Sequence, residues 1–100
     1  MSEEMRPKLP VRIRKNAEVD NELVNLRKGM GEEIEWHSDG DEFTVEFPIT
    51  PFQEKTFVVP PGGSVGSGPI RPDAAVTKYF YNVTNVALAM SADPGVDIRP

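Results

Sequence analysis

The stretch EEIEWHSDGDEFTVEF, Glu32 to Phe47, carries the clearest statement of fold class in the chain. Apolar and charged residues alternate on both sides of Asp39-Gly40, the period of a half-buried β-strand. Asp-Gly is a favoured dipeptide for a two-residue type I′ hairpin, because both central positions need φ above zero. With that turn at the tip, His37 faces Glu42, Trp36 faces Phe43, Ile34 faces Val45 and Glu33 faces Glu46. The apolar pairs then share one face, and a slip of one residue would turn Trp36, Phe43, Val45 and Phe47 toward water.

The same alternation continues outward from this stretch. Leu9, Val11 and Ile13 predict a short strand with Arg12 and Arg14 on its other face. Leu23, Val24 and Leu26 fit a strand, and Phe57 to Val59 another. Pro60 to Ala74, rich in Gly, Ser and Pro, predicts a long loop. Tyr79, Tyr81 and Val83 alternate, followed by Val86, Leu88 and Met90 with a turn at Thr84-Asn85, and Val96 with Ile98 closes the chain after a SADPG turn. Ten prolines and eight glycines leave little room for a long helix. The expectation is an all-β Greek-key β-sandwich of about seven to eight short strands, residues 9–100, behind a flexible N-terminal arm, residues 1–8.

One hundred residues suffice for one domain with its own core. The lack of cysteine excludes disulfides, thiolate metal sites and cysteine nucleophiles. MSEEMRPKLP lacks the apolar run of a signal peptide, and no segment approaches a membrane span, so a soluble, cytoplasmic chain is expected. The net charge of −5 argues against nucleic acid as a partner. The charge is also segregated. Arg6, Lys8, Arg12, Arg14 and Lys15 crowd the start, whereas Gly29 to Glu54 contains no Lys or Arg but includes Glu32, Glu33, Glu35, Asp39, Asp41, Glu42, Glu46 and Glu54.

Four features in order carry a family resemblance: RKGMGEEIEW, FTVEF with Pro51-Phe52 soon after, YFYNV, and a closing DPGVDI. The first resembles the KGDxVxW segment of cupredoxin-like domains, and YFYNV resembles their Y-x-Y-x-C strand. Small bacterial proteins of unassigned function share the outline, including an SGxI loop, here Ser67-Gly68-Pro69-Ile70, and a DPxI end, here Asp93-Pro94-Gly95-Val96. The resemblance spans roughly Leu23 to Arg99 and implies the two-sheet Greek-key sandwich. It does not bring copper with it. The cysteine position falls on Val83, the following histidine on Val86, and the first histidine near Glu42 or Phe43, while Met90 reads as core. A type 1 copper site needs two imidazoles and a thiolate, so no cofactor is expected.

Other chemistry finds little support. His37, the sole histidine, stands beside Asp39, Asp41 and Glu42. These four fit either a partial divalent-metal site or a hairpin end with His37 paired to Glu42. SDGDE lacks the calcium-loop spacing, and PPGGSVGSGP lacks the Lys-Ser/Thr of a phosphate loop. Glu33, Glu35 and Glu46 read as an outward acidic face for docking a protein, and Phe80, on the opposite face of its strand from Tyr79 and Tyr81, fits equally a place under the Pro60–Ala74 loop or an exposed anchor for a partner. The reading is a non-enzymatic, metal-free interaction module with an unknown protein partner.

Overall fold

A computed structural model of the chain describes residues 8–14, 17–85, 90–92 and 94–99. Within them the protein is all-β: β1 (Lys8–Ile13), β2 (Leu23–Arg27), β3 (Glu33–Ser38), β4 (Phe43–Glu46), β5 (Thr56–Val59), β6 (Ser64–Gly66), β7 (Lys78–Phe80), β8 (Asn82–Asn85), β9 (Met90–Ala92) and β10 (Gly95–Arg99). Three ladders join them, in the orders β1-β3-β6, β2-β10-β7 and β5-β4-β8-β9. The alternation read along each segment holds: Val11 and Ile13, Val24 and Leu26, Phe57 and Val59, Tyr79, Tyr81 and Val83, and Val96 and Ile98 are all buried. Among the described residues the first strand begins at Lys8, one residue before the Leu9 at which the alternation starts.

The expected hairpin is absent. β3 runs parallel to β1, with Leu9 opposite Ile34 and Val11 opposite Trp36, and antiparallel to β6, with Trp36 opposite Val65. β4 lies in a different sheet between β5 and β8. Ser38 to Asp41 therefore carries the chain from one sheet to another. Gly40 is not among the positive-φ glycines, which excludes a type I′ turn there. Instead the Ser38 hydroxyl donates to the Asp41 carbonyl and accepts the Gly40 N–H at 3.2 Å, while the Ser38 N–H is held by the Gly63 carbonyl at 2.9 Å. Glu33 is thus far from being a ladder partner of Glu46, and His37 is not one of Glu42. Trp36 and Phe43 still both point into the core, because two strands facing each other across a core show the same period as two strands paired within a sheet.

Two further expectations are corrected. The Pro60–Ala74 loop contains β6, launched by a turn in which the Gly63 N–H donates to the Pro60 carbonyl at 3.0 Å and Gly62 takes φ 63°. Proline followed by a positive-φ glycine is the chemistry of a type II turn. Thr84-Asn85 is strand, not turn, with Thr84 opposite Ser91 and Asn85 opposite Met90. Val86 and Leu88 lie outside the described residues.

Ten strands appear among the described residues, more than expected, because β6 forms within the loop and the Tyr79–Val83 run is divided into β7 and β8. Phe80 pairs with Gly95, and stepping three residues along each strand reaches the Val83–Ala92 pair, so β7-β8 and β9-β10 share one antiparallel register. The missing rung between them is Tyr81 opposite Pro94. The Tyr81 N–H donates to the Pro94 carbonyl at 3.0 Å, but proline has no N–H to return.

Trp36 is the centre of the core. It is fully buried, with ring centroids 5.0 Å from Phe57, 5.6 Å from Tyr81 and 6.2 Å from Phe47. Phe47 extends the cluster to Phe52 at 5.6 Å. The Trp36 indole N–H and the Tyr81 hydroxyl are both buried without a hydrogen-bond partner among the described residues. Burial pushes the Tyr81 phenol up from 10.0 to about 12; the Trp36 indole N–H, near but not in bonding geometry, opposes this, and the charge of Asp20 adds to it.

Two outcomes follow for stability. Trp36→Ala should destabilise the domain by about 3–5 kcal/mol in urea unfolding, the range for emptying a large aromatic site. The raised Tyr81 value means that the unfolded chain loses this proton first. Stability should be flat in this respect below about pH 10, then fall by roughly 2–3 kcal/mol in all as pH rises toward 12. Tyr81→Phe should remove that alkaline slope, and an unchanged slope would count against the burial of this phenol.

Candidate functional site

The acidic face expected on β3 and β4 does not exist as one surface. Glu33 is 6% exposed, covered by the Ser67-Gly68 loop on the face of β3 opposite Ile34 and Trp36, with its Oε1 accepting the Gly68 N–H at 3.2 Å. That oxygen lies 3.3 Å from where a Cβ on Gly66 would stand, so a glycine at this point of β6 makes room for the carboxylate. Beside it the Ser67 hydroxyl accepts the Ile34 N–H at 3.0 Å, and the Ser67 N–H donates to the Ile34 carbonyl at 2.8 Å. Glu33 is therefore a clamp on the Ser67-Gly68 loop. Glu35 is half-buried with its Oε1 3.2 Å from His37 Nε2, and Glu46 is exposed in another sheet.

The His37, Asp39, Asp41 and Glu42 set is likewise dispersed. His37 sits with Glu35, two residues back on the same strand face, and not with Glu42. Asp39 is paired with the Arg12 guanidinium. Asp41 offers its backbone carbonyl to Ser38, and Glu42 is exposed. Among the described residues no group of three or more His, Asp or Glu stands where it could hold a metal ion.

Of the two places expected for Phe80, the exposed one is found. It is 59% exposed on β7, on the face opposite buried Tyr79. With Pro48, Ile49, Thr77, Lys78 and Tyr79 it lines an open cleft of about 270 Å³. Ile49 is 74% exposed there, and Val76, which precedes Thr77 in sequence, is 52% exposed. Lys78 Nζ lies 6.0 Å from the Phe80 ring centroid and forms no ion pair among the described residues. Across the sheet from Phe80 is Gly95, and beyond it Leu23; a Cβ on Gly95 would meet both side chains, at 3.4 and 3.5 Å.

The cleft has a cause in the sequence. β4 pairs with β8 through Val45–Val83 and Glu46–Asn82, and the same register would next bring Pro48 opposite Phe80. Proline cannot donate that rung, and the chain bends at Pro48-Ile49. The wall so formed is held on both sides. The Phe47 N–H donates to the Lys55 carbonyl at 2.7 Å, and the Arg71 guanidinium to the Thr50 carbonyl at 2.7 Å. On the other wall the Tyr79 hydroxyl donates to the Ala75 carbonyl at 2.9 Å. The depression is therefore preformed, as binding clefts commonly are. Sequence reasoning found Phe80 but missed Pro48, Ile49, Thr77 and Lys78. The available signal was a proline directly after an alternating strand, which marks where pairing must stop.

No protein-family model matches the chain, and no curated protein matches it. Among the described residues no helix is long and apolar enough to cross a membrane.

The two carboxylates once aligned by pattern should now behave differently. Glu33→Ala should lower stability by about 1–3 kcal/mol in urea, because it removes the acceptor of a buried N–H. Glu46→Ala, at an exposed position, should change it by less than about 0.5 kcal/mol. Equal effects would contradict the burial of Glu33.

Proposed function

We propose that this chain is a cupredoxin-like β-sandwich domain without copper, a non-enzymatic, metal-free interaction module that takes a protein partner at the Phe80 cleft. The single observation carrying the docking role is an exposed aromatic beside exposed Ile49 in a preformed depression. Aromatic anchors with an apolar surround are what protein partners bury most productively.

Two observations support the fold part of this reading. The β1-β3-β6 sheet faces β5-β4-β8-β9 across the Trp36 aromatic layer, and the parallel pairs β1-β3 and β2-β10 join strands that are not consecutive in the chain, as in a sandwich and not in a simple meander. The copper positions also carry groups suited to a core. Val83, at the cysteine position, is fully buried, and Phe43, near the first histidine position, is 1% exposed. Apolar packing thus occupies space that soft ligands would need.

Peptides displayed on phage and panned on the purified chain, with counter-selection on Phe80→Asp, test the docking role. Enriched peptides should lose at least about tenfold in affinity, about 1.4 kcal/mol, against Phe80→Ala. They should bind Val58→Ala normally, since Val58 is exposed elsewhere, on β5. Affinity indifferent to Phe80 would sink the assignment.

A further inference from the structure

We infer that the cleft takes an extended peptide added as a strand to the open edge of β7, with an acidic residue of that peptide beside Lys78; this rests on the Phe80 cleft as the docking site. Among the described residues β7 ends its sheet, paired with β10 on one side only. The direction of its backbone groups is fixed by its neighbours. The Thr77 carbonyl accepts the Ile98 N–H at 2.9 Å, and the Tyr81 N–H donates to the Pro94 carbonyl at 3.0 Å. Odd-numbered residues of this run therefore bond toward β10. The Gly95 N–H, opposite Phe80, turns instead to the Glu22 carbonyl at 2.7 Å. By the period of two along a strand, the N–H and C=O of Lys78 and Phe80 point the other way, into the cleft. No hydrogen bond among the described residues claims them there, because Pro48 has turned the β4 extension aside.

An edge with two donors and two acceptors at strand spacing matches one kind of ligand, an extended backbone. Side-chain preferences follow from the same geometry. Peptide residues opposite Phe80 and Lys78 share the outer face with those two side chains, and the residue between them points down toward Ile49 and Tyr79. Lys78 is the only charged residue lining the cleft and has no carboxylate partner among the described residues. An antiparallel strand therefore reads β-branched or aromatic, then apolar, then Asp or Glu. Gly95 carries no side chain to crowd the Phe80 ring, whose Cδ1 stands 3.4 Å from where a Cβ there would lie.

The test uses the full chain, isotope-labelled for NMR, with the blocked synthetic peptide Thr-Val-Val-Glu-Thr titrated to its solubility limit. Amide exchange at Lys78 and Phe80 should slow by at least about tenfold on saturation, while Tyr79, already bonded to β10, changes little. Replacing the peptide Glu by Lys should weaken binding by about three- to tenfold, an effect that fades with salt. Three results would overturn the inference. If the Phe80 ring and Ile49 methyl signals move without protection of the two amides, strand addition fails while docking at the cleft stands. If neither ring, methyl nor amide responds, both fail. If the amides become protected by raising the protein concentration alone, the occupant is a second copy of this chain and not a peptide.

Discussion

The packing of Trp36 against Phe57, Phe47 and Tyr81 is the contact on which the rest of the architecture depends. It is the place where β3, from one sheet, meets side chains from β5, the end of β4 and the β7-β8 run of the other. A β-sheet buries one face only when something apolar lies against it. In a chain with five phenylalanines, two tyrosines and one tryptophan, that role falls to one cluster. The cluster also accepts an imperfection, since two polar atoms, the indole N–H and the phenol O–H, are sealed into it unpaired among the described residues. Aromatic area outweighs the lost hydrogen bonds here because a full aromatic side chain contributes several kcal/mol and an unmet polar group subtracts about 1–3.

What the sequence revealed was the inside and outside of each strand. Trp36, Phe43, Val45, Tyr81 and Val96 all turn inward as their alternation requires. Which strand each one meets was not legible. Period two is satisfied equally by a neighbour in the same sheet and by one across the core, so Asp39-Gly40 read as a tight hairpin while it serves as a crossing between sheets. Partners such as β1 for β3 are parallel and separated in sequence, and no local turn chemistry announces them. Glu33 illustrates the same limit for the candidate site. Its burial depends on a loop thirty-odd residues away, Ser67-Gly68, coming back to cover it. Phe80 was found because exposure on an alternating strand is a local property; the cleft beside it is not.

Proline sets the outline of the surface as much as apolar residues set the core. Pro94 withholds one rung and divides a continuous antiparallel run into two ladders without changing its register. Pro48 withholds another and sends its strand away, leaving a gap in the same sheet region. The first interruption is bridged by the single bond from Tyr81, and the second is not bridged. The same missing N–H thus yields continuity in one place and an opening in the other, according to whether the chain keeps its direction.

The pairing of β2 with β10 has a consequence for how the chain comes into being. Leu23 meets Gly95, and Arg27 meets Arg99, so β2 waits for a strand far along the chain to be synthesised. Until β10 leaves the ribosome, Val24 and Leu26 have no strand partner on that side and the core stays open along one flank. Closure of that long loop is slow and limits how early this sheet forms. For a nascent chain so arranged, the interval between translation and closure is the period of greatest exposure to aggregation.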